Sequence, residues 1–486
     1  VLLPEYENGK PIGKMFPEYP FFITATLGPD GSLQLPENPM DRVPMFVRKF
    51  LSPNAKDDRT LASLDEVDSL LSAFKTDVAT EEEYWKACEA LFRKATGMTF
   101  AEMNYPDQPE MVITKAPVTG MAQNILRLYD KLLDCKEDLP LLECLTRCEC
   151  EPSLPLPARR EIYANKRHLA QMSSDFPLSV SQRETLAMYT HPRGSRIFAV
   201  NGPPGTGKTT TLVEAIYETL HREPQVMVCA QSNTAVDWIC EKLVDRGVPV
   251  LRIGNPTRVN DKMLSFTYER RFENHPAYPE LWGIRKSIRE MGGRMRRGSY
   301  EEREGIRSRM SRLRDRATEL EIQINADLFD SARVIASTLV SSNHRLLNGR
   351  RFPTLFIDEA AQALEAACWI AIRKADRVVL AGDHCQLPPT IKCIEAARGG
   401  LEYTLMEKVV RQKPSSVSLL KVQYRMNEAI MQFPSDWFYQ GELEAAPEVR
   451  YRGILDFDSP MSWIDTSEME FHEEFVGESF GRINKQ

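Results

Sequence analysis

Short apolar runs alternate with helical patterns through the middle of the chain. The runs lie at residues 197–200, 226–230, 250–253, 354–357 and 377–381, and polar or glycine residues follow each of them. Runs of about four to eight apolar residues indicate strands that are buried on both faces, and strands that alternate with helices indicate a parallel sheet. The pattern therefore predicts an α/β domain built on a parallel sheet.

A helical segment interrupts this alternation between residues 261 and 328. Its second part repeats apolar residues at spacings of four and three, which predicts a seam that packs against a partner helix. The predicted partner is 282–295, the turn lies near 297–299, and the hairpin seam consists of Ile306, Met310, Leu313, Ala317, Leu320 and Ile324. Residues 281–320 contain twelve Lys/Arg and six Asp/Glu. This basic hairpin fits either a solvated helix surface or a surface that faces nucleic acid, and the sequence leaves both open.

The first 150 residues carry no motif of recognisable chemistry. Apolar segments at 21–27 and 32–35 flank a Gly-Pro-Asp-Gly turn signal, which predicts a β-hairpin. A helical pattern follows from about residue 61 to residue 150, and a proline-rich linker at 151–157 precedes a predicted connecting helix at 159–172. We expect a mixed α/β accessory region here.

The composition is typical of a soluble globular protein. The chain has 486 residues, of which 42% are hydrophobic and 27% are charged, and this length suits about three domains. No stretch has the length of a membrane helix and no signal segment opens the chain, so we expect a soluble, intracellular protein of the cytoplasm, or of the nucleus in a eukaryote. The first residue is Val1 rather than Met, which leaves an upstream part open. The net charge of −7 argues against a protein that coats nucleic acid with its whole surface, but it allows a local basic groove.

The ten cysteines are scattered, and several fall in predicted buried elements, which fits a reducing compartment. Four of them, Cys135, Cys144, Cys148 and Cys150, lie close enough in sequence to form a metal or iron–sulfur site. Their spacing lacks the usual C-x₂-C pair, so reduced structural thiols are the favoured interpretation.

A glycine-rich loop stands between the first strand of the sheet and a helix predicted from Thr210. It reads Gly202-Pro203-Pro204-Gly205-Thr206-Gly207-Lys208-Thr209 and matches G-x-x-x-x-G-K-[ST]. Between a strand and a helix, such a loop turns backbone N–H groups towards phosphates, while Lys208 and the Thr209 hydroxyl address the terminal phosphates and Mg²⁺. The alternative is a Gly/Pro-rich surface turn. The setting favours a binding site for a nucleoside triphosphate.

Two carboxylates follow the predicted strand at 354–357. Asp358 is placed to hold Mg²⁺ directly or through water, and Glu359 is placed to orient and deprotonate an attacking water. An Asp-Glu pair also begins many helices, but the phosphate loop upstream favours the catalytic interpretation.

Three further side chains give less specific signals. A Gln amide carries donors and an acceptor, so Gln182 could bind the paired edge of an adenine and Gln386 could bond a γ-phosphate oxygen. A solvated helix start and a turn-capping amide are the respective alternatives. Arg425 could reach across a domain cleft, or it could be an ordinary surface arginine.

Polar residues also follow the strands at 226–230 and 250–253. The first group, Gln231, Ser232, Asn233 and Thr234, suits either the cap of the next helix or contacts with a sugar–phosphate backbone at the carboxyl end of the sheet. Arg258 could contact a phosphate. The residues themselves leave these alternatives open.

With these motifs in order, the chain from about Leu178 to Gln486 resembles a superfamily 1 helicase of the senataxin and nonsense-mediated-decay type, the branch that moves five-prime to three-prime. The resemblance rests on Gln182, GPPGTGKT at 202, QSNTAVD at 231, RIGNPTRV at 252, the Ser337-Thr338 strand end, DEAAQ at 358, GDHCQLPP at 382, QYRM at 423 and FYQGEL at 438. It implies a nucleic-acid-stimulated ATPase with two RecA-like domains that uses ATP and Mg²⁺.

The resemblance also implies a role for each motif residue. Gln182 would read adenine, the loop from Gly202 to Thr210 would bind the nucleotide, and Thr209 and Asp358 would hold Mg²⁺. Catalysis would involve Lys208, Glu359 as the base, Gln386 as the sensor of the γ-phosphate and Arg425 as an arginine finger. The path of single-stranded DNA or RNA would be lined by Gln231, Ser232, Asn233, Thr234, Arg258, Ser337 and Thr338.

The implied fold is α/β, with a P-loop RecA-like parallel-sheet domain, a helical-hairpin insertion, an N-terminal accessory region and the start of a second RecA-like domain. The expected boundaries are 1–150 for the accessory region, 151–261 with 327–395 for the first motor domain, 262–326 for the hairpin and 396–486 for the incomplete second domain. The β-barrel of the family is not evident in residues 1–150, through which further domains or protein partners could bind. No membrane partner is expected.

The later motifs of the family, including a second arginine finger, do not occur before Gln486. Loss of one finger costs about 10³- to 10⁵-fold in turnover, so we expect residues 1–486 alone to bind nucleotide but to hydrolyse it slowly, and the full protein to continue. Two other interpretations compete. A protein-remodelling ring ATPase shares GPPGTGKT but has no place for GDHCQLPP and QYRM, and a nucleotide-gated binding platform would not unwind strands.

Overall fold

The computed structural model describes most of the chain from residue 178 onwards and parts of the region before it. The described residues are 2–7, 10–17, 19–23, 25–27, 33–35, 42–47, 50–52, 60–76, 80–100, 141, 144, 178–190, 196–295, 300–391, 393–453, 460–462, 464–465, 473–475 and 482–484.

A seven-stranded parallel sheet is the main feature of the fold, as the apolar runs predict. Its strands stand in the order β11-β12-β10-β13-β14-β9-β15. Their bounds are β9 Ile197–Asn201, β10 Val226–Ala230, β11 Val250–Ile253, β12 Val334–Thr338, β13 Phe352–Asp358, β14 Ala375–Gly382 and β15 Val417–Leu419. Every residue of β9 to β12 is buried, which explains why these strands are mostly apolar and do not alternate between apolar and polar residues.

Helices connect the strands and cover the sheet. In chain order they are α1 Leu64–Ser72, α2 Glu81–Thr96, α3 Val180–Thr190, α4 Lys208–Thr219, α5 Asn233–Asp245, α6 Asp261–Leu264, α7 Tyr268–Glu273, α8 Tyr278–Met295, α9 Tyr300–Ser331, α10 Glu365–Ile372, α11 Ile394–Ala396, α12 Leu405–Gln412 and α13 Glu428–Phe438. Helix α4 begins at Lys208, two residues before the predicted start at Thr210. Ser232 caps α5 by accepting a hydrogen bond from the Ala235 N–H, as its position after a strand predicts.

Short strands make up the β part of the N-terminal region. They are β1 Leu2–Glu7, β2 Lys10–Pro17, β3 Phe21–Phe22, β4 Thr26–Leu27, β5 Leu33–Gln34, β6 Met45–Phe46, β7 Leu51–Ser52 and β8 Ala62–Ser63. The predicted hairpin is confirmed where β4 pairs with β5. It is wrong for Phe21, which pairs with Phe46 on β6 instead, because its ring packs edge-on against the ring of that residue. Residues 101–140 and the linker and helix predicted at 151–172 lie outside the described residues.

The predicted helical hairpin is formed by α8 and α9, and its turn lies outside the described residues. Four of the seam residues on α9 are buried, namely Met310, Ala317, Leu320 and Ile324, while Ile306 and Leu313 are half-buried. Most residues between the seam positions are exposed. The spacing of four and three therefore identifies the packed face correctly.

The N-terminal region contacts α7 and the hairpin through polar pairs. The Leu64 N–H donates to Glu273 Oε1 at 3.1 Å, and the Ser52 hydroxyl lies 2.6 Å from the Tyr278 hydroxyl. Arg285, whose side chain is almost fully buried, donates to the Thr60 hydroxyl at 3.3 Å and pairs with Glu321. Burial raises the pKa of Glu273 to about 7. This junction joins the accessory region to the insertion with charged groups that are largely removed from water.

The described residues fall into two compact units. One is drawn from 1–138, 220–355 and 369–375, and the other from 139–219, 356–368 and 376–486. Strand β15 lies after the predicted boundary at residue 396, yet it pairs with β9 in the seven-stranded sheet, so this sheet continues to Leu419. The predicted domain boundaries otherwise remain predictions.

The remaining strands are β16 Val422–Gln423, β17 Glu444–Ala445, β18 Glu473–Phe475 and β19 Arg482–Asn484. No helix among the described residues is long and apolar enough to cross a membrane. Of the four clustered cysteines, only Cys144 lies within the described residues, so the metal hypothesis for them stays untested.

Candidate nucleotide-binding site

The phosphate loop connects β9 to α4, with the conformation that its glycines allow. Gly205 and Gly207 have φ angles of +80° and +72°, in the left-handed region that favours glycine. The Thr206 hydroxyl donates to the Pro203 carbonyl at 2.7 Å, and the Gly202 N–H donates to the Gly382 carbonyl of β14 at 2.8 Å. The loop is thus held from inside and from the neighbouring strand.

A side chain at any glycine of the loop would clash with a neighbouring residue. A Cβ at Gly202 would lie 2.7 Å from Lys208 Cβ, and one at Gly207 would lie 2.7 Å from Gln182 Nε2. A Cβ at Gly205 would lie 2.6 Å from Arg425 Cβ. The motif glycines therefore bring Lys208, Gln182 and Arg425 against one loop.

Thr209 and Asp358 meet beside the loop, as the sequence predicts for a Mg²⁺ site. The Thr209 hydroxyl donates to Asp358 Oδ2 at 3.3 Å, and the Glu359 N–H donates to Asp358 Oδ1 at 2.9 Å. Burial raises the pKa of Asp358, against the opposing effects of Lys208 and of these two hydrogen bonds. A hydroxyl and a buried carboxylate form a hard oxygen donor set, which fits Mg²⁺.

Glu359 lies at the end of β13 in a strained conformation. Its φ of +54° is in the left-handed region, which is uncommon for a residue that is not glycine. Such strain is typical of functional sites, where the surrounding structure stabilises it. The half-buried side chain follows directly on the metal-binding candidate Asp358.

Gln182 contacts the phosphate loop from α3. Its Nε2 donates to the Thr206 carbonyl at 3.1 Å, and its Oε1 accepts from the Ser179 N–H at 2.8 Å. The side chain is 4% exposed. The structure thus brings Gln182 to the loop, and its contact with adenine stays a prediction.

The QYRM motif lies against the same loop. The Tyr424 N–H donates to the Gly205 carbonyl at 2.9 Å, and the buried Gln423 side chain accepts from the backbone of Arg425 and Met426 through Oε1. Arg425 is exposed. Gln423 was not singled out in the sequence, although its place in the motif is a usable signal.

Gln386 lies in the loop after β14 and is exposed. Its Nε2 donates to Asp383 Oδ2 at 2.8 Å, and the Tyr439 hydroxyl donates to the same oxygen at 2.6 Å. Asp383 and Tyr439 belong to the GDHCQLPP and FYQGEL motifs, but no sequence pattern predicts that they pair. Their contact is visible only in the structure.

The candidate strand-binding residues lie on the other compact unit, at the ends of β10, β11 and β12. Arg252 of β11 is fully buried and donates to Asp237 Oδ1 at 2.9 Å and to Asn233 Oδ1 at 2.8 Å. The second Asp237 oxygen accepts from the Asn260 N–H at 3.0 Å. This network fixes the QSNTAVD and RIGNPTRV segments to each other.

The individual candidates differ in exposure. Thr234 and Arg258 are exposed, whereas Gln231, Ser232 and Asn233 are half-buried. Ser337 is fully buried in β12, with its hydroxyl 3.5 Å from Cys229 Sγ, and Thr338 is 9% exposed and donates to the Ser341 hydroxyl at 2.8 Å. The buried hydroxyl of Ser337 faces the protein interior here, and a contact with nucleic acid remains a prediction for all these residues.

Comparison with known proteins shows which family the chain is similar to. Two protein-family models, each described as an AAA domain, match residues 177–393 and 401–484. The chain is 35% identical over 285 residues to the DNA polymerase alpha-associated DNA helicase A of Schizosaccharomyces pombe, covering 55% of this chain and 41% of that protein. It is 34% identical to the DNA-binding protein SMUBP-2 of Mesocricetus auratus, covering 60% of this chain and 30% of that protein.

A third relative is the regulator of nonsense transcripts 1 homolog of Arabidopsis thaliana, which is 35% identical over 54% of this chain and 20% of that protein. The chain thus spans less than half the length of these three curated relatives. The matched region contains the phosphate loop, both carboxylates, Gln386 and Arg425. The chain belongs to the superfamily 1 helicases of the senataxin and nonsense-mediated-decay type, a family of ATP-hydrolysing enzymes.

Proposed function

We propose that this chain carries out the ATP-binding and hydrolysis steps of a helicase or translocase that acts on single-stranded DNA or RNA. The observation that supports this most directly is the meeting of Thr209 and Asp358 at a phosphate loop that also contacts Gln182 and the QYRM segment. The names of the three relatives refer to a DNA helicase, a DNA-binding protein and a regulator of nonsense transcripts. They favour nucleic acid as the partner without favouring one polymer.

In the proposed reaction, backbone N–H groups of the loop and Lys208 bind the phosphates of ATP, which is the substrate. Thr209 and Asp358 would hold Mg²⁺, which would supply charge neutralisation at the phosphates. The positive charge of the nearby Lys208 acts to lower the pKa of Asp358 and so favours the ionised carboxylate. ATP and Mg²⁺ are thus the small molecules that the site is built to hold.

Glu359, whose backbone lies in the left-handed region, then orients and deprotonates the attacking water. Gln386 contacts the γ-phosphate, and Arg425, which lies beside Gly205, stabilises the charge of the transition state. A finger arginine of this kind is worth about 10³- to 10⁵-fold in turnover.

The strand would bind on the unit that holds β10 to β12. Thr234 and Arg258 provide exposed polar and charged groups, and the Arg252 network holds their two segments in register. We assign Ser337 a packing role beside this surface because its side chain is fully buried. The basic α8–α9 hairpin is the second candidate surface for phosphates.

We further propose movement from five-prime to three-prime and the domain limits given above, with the first motor domain extended to Leu419 by β15. Direction is supported by the resemblance to one branch of the family. Translocation assays on strands with a fluorophore at either end would contradict it if the protein arrived at the five-prime end.

A nucleotide-gated binding platform is the competing function, because binding and hydrolysis are separable at this site. The Lys208→Ala variant should lose nucleotide binding, whereas Glu359→Gln should bind ATP with nearly unchanged affinity and lose turnover by at least about 10²-fold. Equal turnover of the Glu359→Gln variant and the wild type would contradict the assignment of the base. A wild type that binds ATP and strands but never turns over in the presence of either polymer would favour the platform.

A further inference from the structure

The buried carboxylate of Asp383 is the meeting point of two segments that are far apart in sequence. It is 2% exposed and lies just after β14. Its Oδ1 accepts from the Cys385 N–H at 3.1 Å, and its Oδ2 accepts from both Gln386 Nε2 at 2.8 Å and the Tyr439 hydroxyl at 2.6 Å. One oxygen thus joins the amide of an exposed loop to a phenol that is 56 residues further along the chain.

Tyr439 is itself firmly held. It follows the last residue of α13, and its N–H donates to the Ser435 carbonyl at 3.0 Å. The ring is 6% exposed and belongs to a hydrophobic cluster with Met431, Leu443, Ala445, Ala446 and Val449. Burial and the neighbouring Asp383 raise the pKa of the Tyr439 phenol, so it remains a hydrogen-bond donor throughout the working pH range. The donor at this position is therefore both fixed and permanent.

The contact bears on how Gln386 meets the γ-phosphate. An exposed glutamine loses side-chain entropy when it is held in one conformation. Asp383 restricts the Gln386 amide before any ligand binds, and Tyr439 fixes the carboxylate that does so. When the Gln386 amide turns from Asp383 to a phosphate oxygen, the buried Asp383 carboxylate loses one hydrogen-bond donor. The free-energy cost of that loss depends on the hydrogen bond that the Tyr439 hydroxyl still donates to the carboxylate.

We propose that Tyr439 is a positioning residue that acts through Asp383 on Gln386, and that it couples recognition of the γ-phosphate to helix α13. This inference rests on the proposed function, since it concerns the same site. It assigns a role to the tyrosine of the FYQGEL segment, whose hydroxyl donates to Asp383 Oδ2. It also gives the buried Asp383 a purpose beyond closing its own turn.

The test compares ATP and ADP affinities in the presence of Mg²⁺ for the wild type and Tyr439→Phe, which removes one oxygen and keeps the ring in its cluster. We expect the preference for ATP over ADP to fall about 5- to 20-fold, with ADP affinity changed less than about 2-fold, because one hydrogen bond to a charged group is lost. Tyr451→Phe is the matched control, since Tyr451 is 83% exposed, and it should behave as the wild type.

A double-variant cycle tests the route of the effect. If Tyr439 acts through Gln386, then adding Tyr439→Phe to Gln386→Ala should change the ATP preference by less than about 2-fold. An additive effect would overturn the inference. Asp383→Asn, which keeps the shape of the side chain, should reproduce the loss and the same non-additivity even if Tyr439→Phe fails to fold.

The outcomes separate the two proposals. A wild type that binds neither nucleotide would contradict the proposed function itself. A wild type that prefers ATP while Tyr439→Phe and Asp383→Asn keep that preference would contradict only the positioning role. Equal affinity of the wild type for ATP and ADP would contradict the positioning role together with the γ-phosphate contact proposed for Gln386.

Discussion

The Arg252–Asp237 pair offers the most demanding test of how the candidate strand-binding segments are held. Arg252 is fully buried and donates three hydrogen bonds. Its Nε donates to Asp237, one terminal nitrogen donates to Asn233, and the other donates to the Ile253 carbonyl at 2.8 Å. Replacing Arg252 with Met removes all three hydrogen bonds. Among the described residues, the Asn260 N–H at 3.0 Å then remains as a donor to the Asp237 carboxylate.

The magnitude follows from the burial of both charges. The two side chains are 0% and 3% exposed, and removing one partner of a buried pair costs about 3–5 kcal/mol because the other charge loses its compensation. The variant Asp237→Asn should cost a comparable amount. The double variant should cost about 1–3 kcal/mol less than the sum, since neither uncompensated charge is then left.

Urea unfolding measures these costs. With a slope of about 2–3 kcal/mol per molar, Arg252→Met should lower the midpoint by about 1–2 M at an unchanged slope. Arg258→Met is the control, because Arg258 is exposed and its loss should stay within about 0.5 kcal/mol. If the two variants have equal midpoints, or if the double variant is strictly additive, the network does not hold the segments together.

Three further outcomes follow from other parts of the chain. Because the pKa of Glu273 is raised to about 7 from its usual 4.5, its contribution favours the folded state fully below pH about 4.5 and is lost as pH rises to about 7. Glu273→Gln should remove up to about 3 kcal/mol of this pH dependence of the unfolding free energy. An unchanged pH profile in unfolding experiments would contradict the assignment. Gly207→Ala should weaken ATP binding at least about tenfold in a fluorescent-nucleotide titration, because φ is +72° and the new methyl group would lie 2.7 Å from a neighbouring amide nitrogen. Gly349→Ala, with φ of +73° and nothing within 4 Å, should leave binding unchanged, and equal losses would refute the steric argument. Met310→Ala in the hairpin seam should cost about 2–4 kcal/mol in urea unfolding, whereas Ile322→Ala, at an exposed position of the same helix, should cost little; equal costs would contradict the seam.

The parts of the fold that could be predicted from the sequence are those with a local signal. The run Ile197 to Val200 is apolar throughout because β9 is buried on both faces, and the hairpin seam repeats because one face of α9 is packed. The phosphate loop carries its glycines because two of them need positive φ. In each case one stretch of chain contains both the cause and the pattern.

Contacts between distant stretches could not be predicted in this way. Strand β15 has only three residues, and its pairing with β9 depends on a partner that lies more than 200 residues earlier. The hairpin predicted around the turn forms only between β4 and β5, whereas Phe21 pairs with the more distant Phe46, whose ring it contacts. The contact of Tyr439 with Asp383 joins two motifs whose sequences give no sign of each other.

The resemblance to a helicase family predicts the residues of the site, but not how they are held. Gln182 was expected at the adenine, and in the structure its amide is bonded to Thr206 and Ser179. Asn233 was expected to contact a nucleic-acid strand, and in the structure its side-chain carbonyl oxygen accepts a hydrogen bond from Arg252. Motif residues therefore have structural partners that an ordered list of motifs does not reveal.

In the proposed function, ATP hydrolysis at this site depends on a bound single strand. The most direct measurement is the rate of phosphate release by the complete protein with Mg²⁺-ATP, titrated with single-stranded DNA and with single-stranded RNA, with Glu359→Gln as the inactive reference. The account predicts a saturable rise in rate with at least one of the two polymers and none in the reference variant. A rate that neither polymer changes, or a rise that persists in Glu359→Gln, would contradict it.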